Sequence, residues 1–320
     1  MPSLKEIKNR ITSVQSTRKI TSAMKMVASS KLHHAQQMIE NMLPYESMLE
    51  HILKSFLASD VEAKGSITQP RQVRKVALLV FSSNSSLCGG FNANVLKLMQ
   101  KVIKKYEEQH IDIVVYPIGR KVAEKVQKMG IKSAGNFSQL ADKPNSIQCA
   151  EIGRQLQSDF DSGLIDKVDM IYHHFKSAGS QILQRKTLLP IDIETAMDYD
   201  HERDLKSTIA TEKASEYLKK KGQQHEYENK KGTALNDNFI VEPDMQTVLS
   251  MLVPRYVNLM LYTALLDSNA SEHAARMVAM QTATDNADEL LKELNLQYNK
   301  SRQQAITNEL LDIVGGSVNN

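Results

Sequence analysis

The sequence predicts a mixed α+β, α/β protein: a long antiparallel coiled coil of the N- and C-terminal helices, with a doubly wound α/β domain inserted between them. Three observations predict it. A heptad stripe occupies the last eighty residues, a second stripe occupies the first sixty, and strands alternate with helices between them.

The C-terminal stripe is the longer. Stepping alternately three and four residues from Leu249 gives Leu252, Tyr256, Leu259, Thr263, Leu266, Ala270, His273, Met277, Met280, Thr284, Ala287, Leu291, Leu294 and Tyr298, which are mostly apolar. No glycine interrupts it before Gly315. Some seventy-five helical residues would make a rod of ~110 Å, longer than a globular core requires. Such a helix needs a partner. Beyond Tyr298 the apolar face shifts to Ile306, Leu310, Ile313 and Val314, as expected where a helix outgrows its partner. Pro254 predicts a kink near the base, and Pro243 with Asp244 a helix start.

The N-terminal stripe supplies that partner. Ser3 and Glu6 form a capping box, and Leu4, Ile7, Ile11 and Val14 continue at the same spacing through Arg18 and Thr21 to Met24, Ala28, Lys31, Ala35, Met38 and Met42. Pro44 is expected to kink or break this helix, with Leu49, Ile52, Leu53 and Phe56 resuming the apolar face. Small residues (Ala23, Ala28, Ser29 and Ser30; Ala270, Ala274, Ala275, Ala279 and Ala283) let two backbones approach. The alternative is two helices packed on separate domains. Lys5, Lys8, Arg10, Arg18, Lys19, Lys25 and Lys31 oppose Glu6 alone among the first thirty-one residues, making either a solvated face or one turned to an acidic partner.

Between the helices the period changes. Residues 76–81 (VALLVF), 111–119, 168–175 and 181–193 read as strands, and residues 92–108, 120–129 and 147–161 as helices, a small Rossmann-like sheet. The expected organisation is a helix over 1–60, the α/β domain over 70–197, a charged insert or linker over 198–238, and the second helix over 239–320. The stretch from Asp198 to Lys231 is too charged for a core.

Composition narrows the chemistry. A net charge of +3 and the lack of aromatic residues among the N-terminal bases argue against nucleic acid. Cys88 and Cys149 have no metal or redox spacing and read as buried thiols. The sequence shows neither a membrane-spanning apolar run nor a signal core, so a soluble, cytosol-facing chain is expected. The loop over residues 82–94 (SSNSSLCGGFNAN) lies where α/β folds bind phosphate, yet no GxGxxG or GxxxxGK[ST] can be written there. Adjacent histidines at His33-His34 and His173-His174 cannot chelate alone, and no catalytic, cofactor or metal site is recognisable.

Four segments carry a family resemblance: NKSRQQAITNELLDIVGG (299–316), SEHAARMVAMQTATDNA (271–287), IKNRITSVQSTRKITSAMKMVASSKL (7–32) and SLCGGFNAN (86–94). All four, in their order along the chain, resemble the ATP synthase gamma subunit family, in its bacterial form. The resemblance implies a rotor stalk of an F-type ATP synthase, without catalysis or cofactor of its own. It would stand in single copy within the ring of three alpha and three beta subunits and meet epsilon and the c-ring below. Proton flow would turn it, driving ATP synthesis at the beta sites, on the cytoplasmic face of the bacterial inner membrane.

By the same resemblance, Arg302 and Gln303 would contact a beta-subunit loop, Thr307 and Glu309 would serve coupling, and Met24 and Arg255 would influence its efficiency. Phe239 and Glu242 would lie towards the rotor ring and epsilon. The insert departs from the family pattern and lacks the cysteines of the plastid redox insert. Two rivals stand beside this reading: a coiled-coil scaffold with a nucleotide-sensing α/β domain, and an enzyme with its site at the sheet tips.

Overall fold

The computed structural model describes residues 3–59, 71–191 and 241–318. The elements are α1 (Leu4–Ser59), β1 (Lys75–Phe81), α2 (Phe91–Glu108), β2 (Asp112–Ile118), α3 (Arg120–Met129), α4 (Ser138–Asp142), α5 (Ser146–Asp161), β3 (Lys167–Ser177), β4 (Ser180–Leu189) and α6 (Met245–Val318). The charged insert lies outside the described residues.

Both long helices start on side-chain caps. Ser3 N donates to Glu6 Oε2 at 2.9 Å and Glu6 N to Ser3 Oγ at 3.3 Å, the reciprocal bonds of a capping box. At α6, Thr247 N and Thr247 Oγ1 donate to Asp244 at 2.8 and 2.7 Å, and these bonds hold its carboxyl below the ordinary range. Asp244 is therefore the cap, and Pro243 stands just before the helix rather than in its first turn. Neither Pro44 nor Pro254 ends its helix, so of the kink or break expected at Pro44 the break does not occur. Pro44 is exposed, where a carbonyl that loses its donor can turn to water.

The sheet runs β2-β1-β3-β4. β1 pairs in parallel with β2 and β3, and β3 pairs antiparallel with β4. The last pairing is a hairpin because only Ala178 and Gly179 separate the strands, too short for a parallel crossover. β4 ends at Leu189 rather than running to Ile193, since Pro190 has no N–H for the ladder. As a central strand, β1 is buried on both faces. Its alternate residues feed two cores: Val76, Leu78 and Val80 join α2 and α3, and Ala77, Leu79 and Phe81 join α5 with parts of α1 and α6. The domain thus buries its second face against the long helices themselves.

The chain forms two compact units, residues 31–275 and residues 1–30 with 276–320, and both α1 and α6 run through each. One expectation is corrected. Over Gln246–Leu311, α6 is long and apolar enough to cross a membrane by length and composition, although no such run was expected. More than half of its most apolar window is buried inside the protein, because the residues form a core and a helical seam.

Candidate functional site

The sheet tips are closed by their own side chains. The first three amides of α3, the donors an α/β fold turns toward phosphate, are all taken: Arg120 N donates to Asn84 Oδ1 (2.8 Å), Lys121 N to Ser83 O (3.2 Å) and Val122 N to Ser82 Oγ (3.1 Å). Gly119 makes this approach possible. It has φ of +109°, and a Cβ there would stand 2.1 Å from Ser82 O. Asn92 of α2 completes the closure, its Nδ2 donating to Ser83 Oγ at 2.8 Å. A nearby groove of about 710 Å³ is lined by Tyr116, Phe137, Leu140, Ile152 and several amides, with Glu151 its one charged lining residue. It offers no cation to a phosphate. The N-terminus of α3 therefore has its first three amides engaged within the protein.

His173 and His174 serve packing, whereas His33 and His34 are exposed. His174 Nδ1 lies 2.7 Å from Asp267 Oδ2, tying β3 to α6 in the interior. His173 stacks on Phe91 at 4.4 Å between ring centroids, and burial lowers its pKa from 6.5 to about 4. Among the described residues no three His, Cys, Asp or Glu side chains cluster to hold a metal. Cys88 and Cys149 are both free and buried.

The helical pair of the other unit presents a different surface. Its seam follows a heptad, with Ile7, Thr21 and Ala28 buried on α1, and Met277, Met280, Ala287 and Leu294 on α6. Thr21 and Thr284 meet hydroxyl to hydroxyl at 2.8 Å, and Arg18 Nε pairs with Asp288 Oδ1 at 2.5 Å. Away from the seam large apolar side chains lie open. Ile20 is 59% exposed, Met26 65% and Leu296 71%, and Val27, Ile306, Leu310 and Leu311 are exposed as well. Exposed apolar surface rimmed by charge marks a contact face.

The resemblance-derived residues divide between the units. Arg302, Gln303, Thr307 and Glu309 share two turns near the end of α6 and are all exposed, with Thr307 Oγ1 bonded back to Gln303 O at 2.9 Å. Met24 is half-buried on α1, three residues from the Thr21–Thr284 contact. That level is some eighteen residues from Arg302, or ~27 Å of helix, so the structure does not bring Met24 to the tip. Arg255 and Glu242 are exposed in the unit containing the sheet. Phe239 lies outside the described residues. The heptad reading missed Ile20 and Val27, which stand seven apart beside the seam positions Thr21 and Ala28. That second stripe was present in the sequence.

The chain matches the family described as ATP synthase across residues 3–318. It is 48% identical over 319 residues to the ATP synthase gamma chain of Phocaeicola vulgatus, covering 99% of this chain and all of that one. It is 50% identical over the same length, with the same coverage, to that of Bacteroides fragilis.

The chain belongs to the ATP synthase gamma chain family.

Solved structures agree on the fold. The Euglena gracilis mitochondrial ATP synthase contains a chain with a TM-score of 0.59 at 18% identity, covering 98% of this chain and 93% of that one. The Tetrahymena thermophila mitochondrial ATP synthase central stalk/c-ring structure gives 0.53 at 24% identity, covering 82% and 99%. A gamma chain is a non-catalytic stalk subunit of the synthase. The occupied first amides of α3 and the open apolar faces of the helical pair both suit that role.

Proposed function

We propose that this chain is the central rotor of a bacterial F-type ATP synthase. It stands once per complex inside the ring of three alpha and three beta subunits and meets epsilon and the c-ring at the other end. Torque from proton flow through the c-ring passes through α1 and α6, and the turning, asymmetric helical pair drives each beta site through its binding states. The cytoplasmic face of the inner membrane is the location this reading requires.

The observation that carries it is the helical pair itself: a closed heptad seam from which large apolar side chains still point outward. In this reading Ile20, Met26, Val27 and Leu296 slide against the surrounding ring, while Arg302, Gln303, Thr307 and Glu309 make directional contacts with beta. Met24 and Arg255 act on coupling through the helices, and Phe239 and Glu242 lie towards the ring side.

The test is reconstitution. Purified alpha and beta subunits with this chain are expected to co-purify and sustain ATP hydrolysis, and failure of the three to associate would sink the rotor reading. Arg302→Glu is expected to lower coupled ATP synthesis about tenfold or more, because losing one partner of a hydrogen-bonded charge pair that an interface buries costs about 2–5 kcal/mol. Arg302 is exposed, so the variant's melting temperature should barely move. Equal losses of activity and stability would show a structural residue instead.

A further inference from the structure

We infer that Thr21 and Thr284, with Arg18 and Asp288 beside them, are positioning residues that fix the register of α1 against α6 and thereby the angular phase of the tip. This rests on the rotor reading and adds to it the place where the shaft's phase is set.

Thr21 is buried in the middle of an otherwise apolar seam, and hydroxyls are poor material for stability there. Each already has an acceptor in its own helix: Thr21 Oγ1 donates to Arg18 O at 3.0 Å and Thr284 Oγ1 to Met280 O at 2.8 Å. Two hydroxyl protons thus serve three contacts, so the cross-helix bond at 2.8 Å forms only when one threonine gives up its own carbonyl. Two valines of the same shape would leave no polar group to satisfy and would pack at least as well.

What the threonines supply instead is direction. A hydroxyl–hydroxyl contact exists at one axial and one rotational setting, whereas two valines touch over a range. A single polar layer in an apolar seam is the established way to specify coiled-coil register at some expense of stability. The Arg18–Asp288 pair adds a second directional contact about one turn away, with both side chains nearly half exposed. Two such contacts, one in the seam and one at its edge, fix slide and rotation together.

The phase matters because an unbroken helix carries any rotation set at the layer on to its tip. The tip residues stand ~27 Å beyond this layer on α6, with no break in the helix between them. A rotation of ~20° about the helix axis at the layer carries a side chain at ~6 Å radius through ~2 Å at the tip. That is more than a directional hydrogen bond to a partner tolerates.

The experiment uses the whole synthase in vesicles, reading ATP-driven proton uptake per ATP hydrolysed, with electron–electron distance measurements between spin labels at the exposed positions Ser13 and Asn295. The Thr21→Val/Thr284→Val pair is expected to assemble with an unchanged or higher melting temperature. Its label distances should broaden, reflecting roughly a fivefold loss of register preference, and its proton uptake per ATP should fall to about half. Thr21→Ser/Thr284→Ser, which keeps both hydroxyls, is expected to behave as the native complex. Arg18→Ala, at the half-exposed edge and without risk to folding, should give an intermediate broadening. Broadening without loss of uptake overturns the phase assignment, and loss of uptake with native distances overturns the register assignment. Failure of the native chain itself to assemble overturns the rotor reading instead.

Discussion

Asp169 offers the sharpest test of what holds the α/β unit together. Its carboxylate is fully buried, with Oδ2 accepting from Tyr106 Oη at 2.7 Å and Arg185 Nε at 2.8 Å, and Oδ1 accepting from Thr187 Oγ1 at 2.9 Å. Lys167 Nζ stands 3.5 Å away, and Arg185 Nη2 also bonds both the carboxylate and Tyr106 Oη. Asp169→Ala strands the guanidinium and the phenol among apolar neighbours. Removing one partner of a buried pair costs about 3–5 kcal/mol, and since Arg185 remains about a quarter exposed, the lower figure applies. At roughly 2–4 °C per kcal/mol for a unit of this size, about 3 kcal/mol is a drop of roughly 6–12 °C in melting temperature. Burial first, then the Asp169 hydrogen bond, pushes the Tyr106 phenol well above its usual range, so the variant should also titrate a tyrosine earlier by ultraviolet absorbance. Asp169→Leu with Arg185→Met removes both charges and should return to within about 1–2 kcal/mol of the native chain. A loss below about 1 kcal/mol for Asp169→Ala, or a double variant no better than the single, would refute the reasoning.

The remaining predictions concern a second buried group on the same face of β3 and one in α5. His173 is held at about 4 by burial while the unfolded chain titrates near 6.5, so between these values the unfolded state binds a proton that the folded state refuses. Stability is therefore full above about pH 6.5 and falls as pH drops towards 4, by about 3 kcal/mol at the acid end; His173→Phe, which keeps the stack on Phe91, should flatten that slope in denaturant titrations. Cys149 is pushed to about 12 by burial, so iodoacetamide at pH 8 should alkylate it only in denaturant, and modification in the native state would show that α5 opens.

Several of these features were open to reading and others were not, for physical reasons. The long helices were legible because a heptad is a local, repeating signal, and the Ser3–Glu6 cap was legible because both partners lie within one turn. The antiparallel hairpin was less so, although the two residues between β3 and β4 carried its signal. The Ser82–Asn84 cap on α3 joins loops thirty-six residues and more apart, and Asp169 finds Tyr106 across sixty-three. No local pattern announces such partners. At Pro44 a local rule allowed a kink or a break, and which of the two occurs is decided by tertiary contacts of the residues beyond it, with Leu49 and Leu53 in the core and the helix continuous. The coupling residues entered only by resemblance, because nothing in the sequence of an exposed Arg302 distinguishes it from an ordinary solvated arginine.

The seam that joins Thr21 to Thr284 closes over 263 residues of intervening chain. At about 5–20 residues per second, a ribosome needs roughly ten to fifty seconds to supply the second half of the seam after the first has emerged. For that interval the nascent N-terminal helix carries an unpaired apolar stripe into the cell. The seven bases along its first thirty-one residues keep it soluble and self-repelling in the meantime. Once the sheet folds, Leu49 and Leu53 of α1 share a core with Leu249 and Val253 of α6. Within residues 31–275 those contacts hold the two helices as neighbours, so this part of the pair does not depend on the seam for its closure.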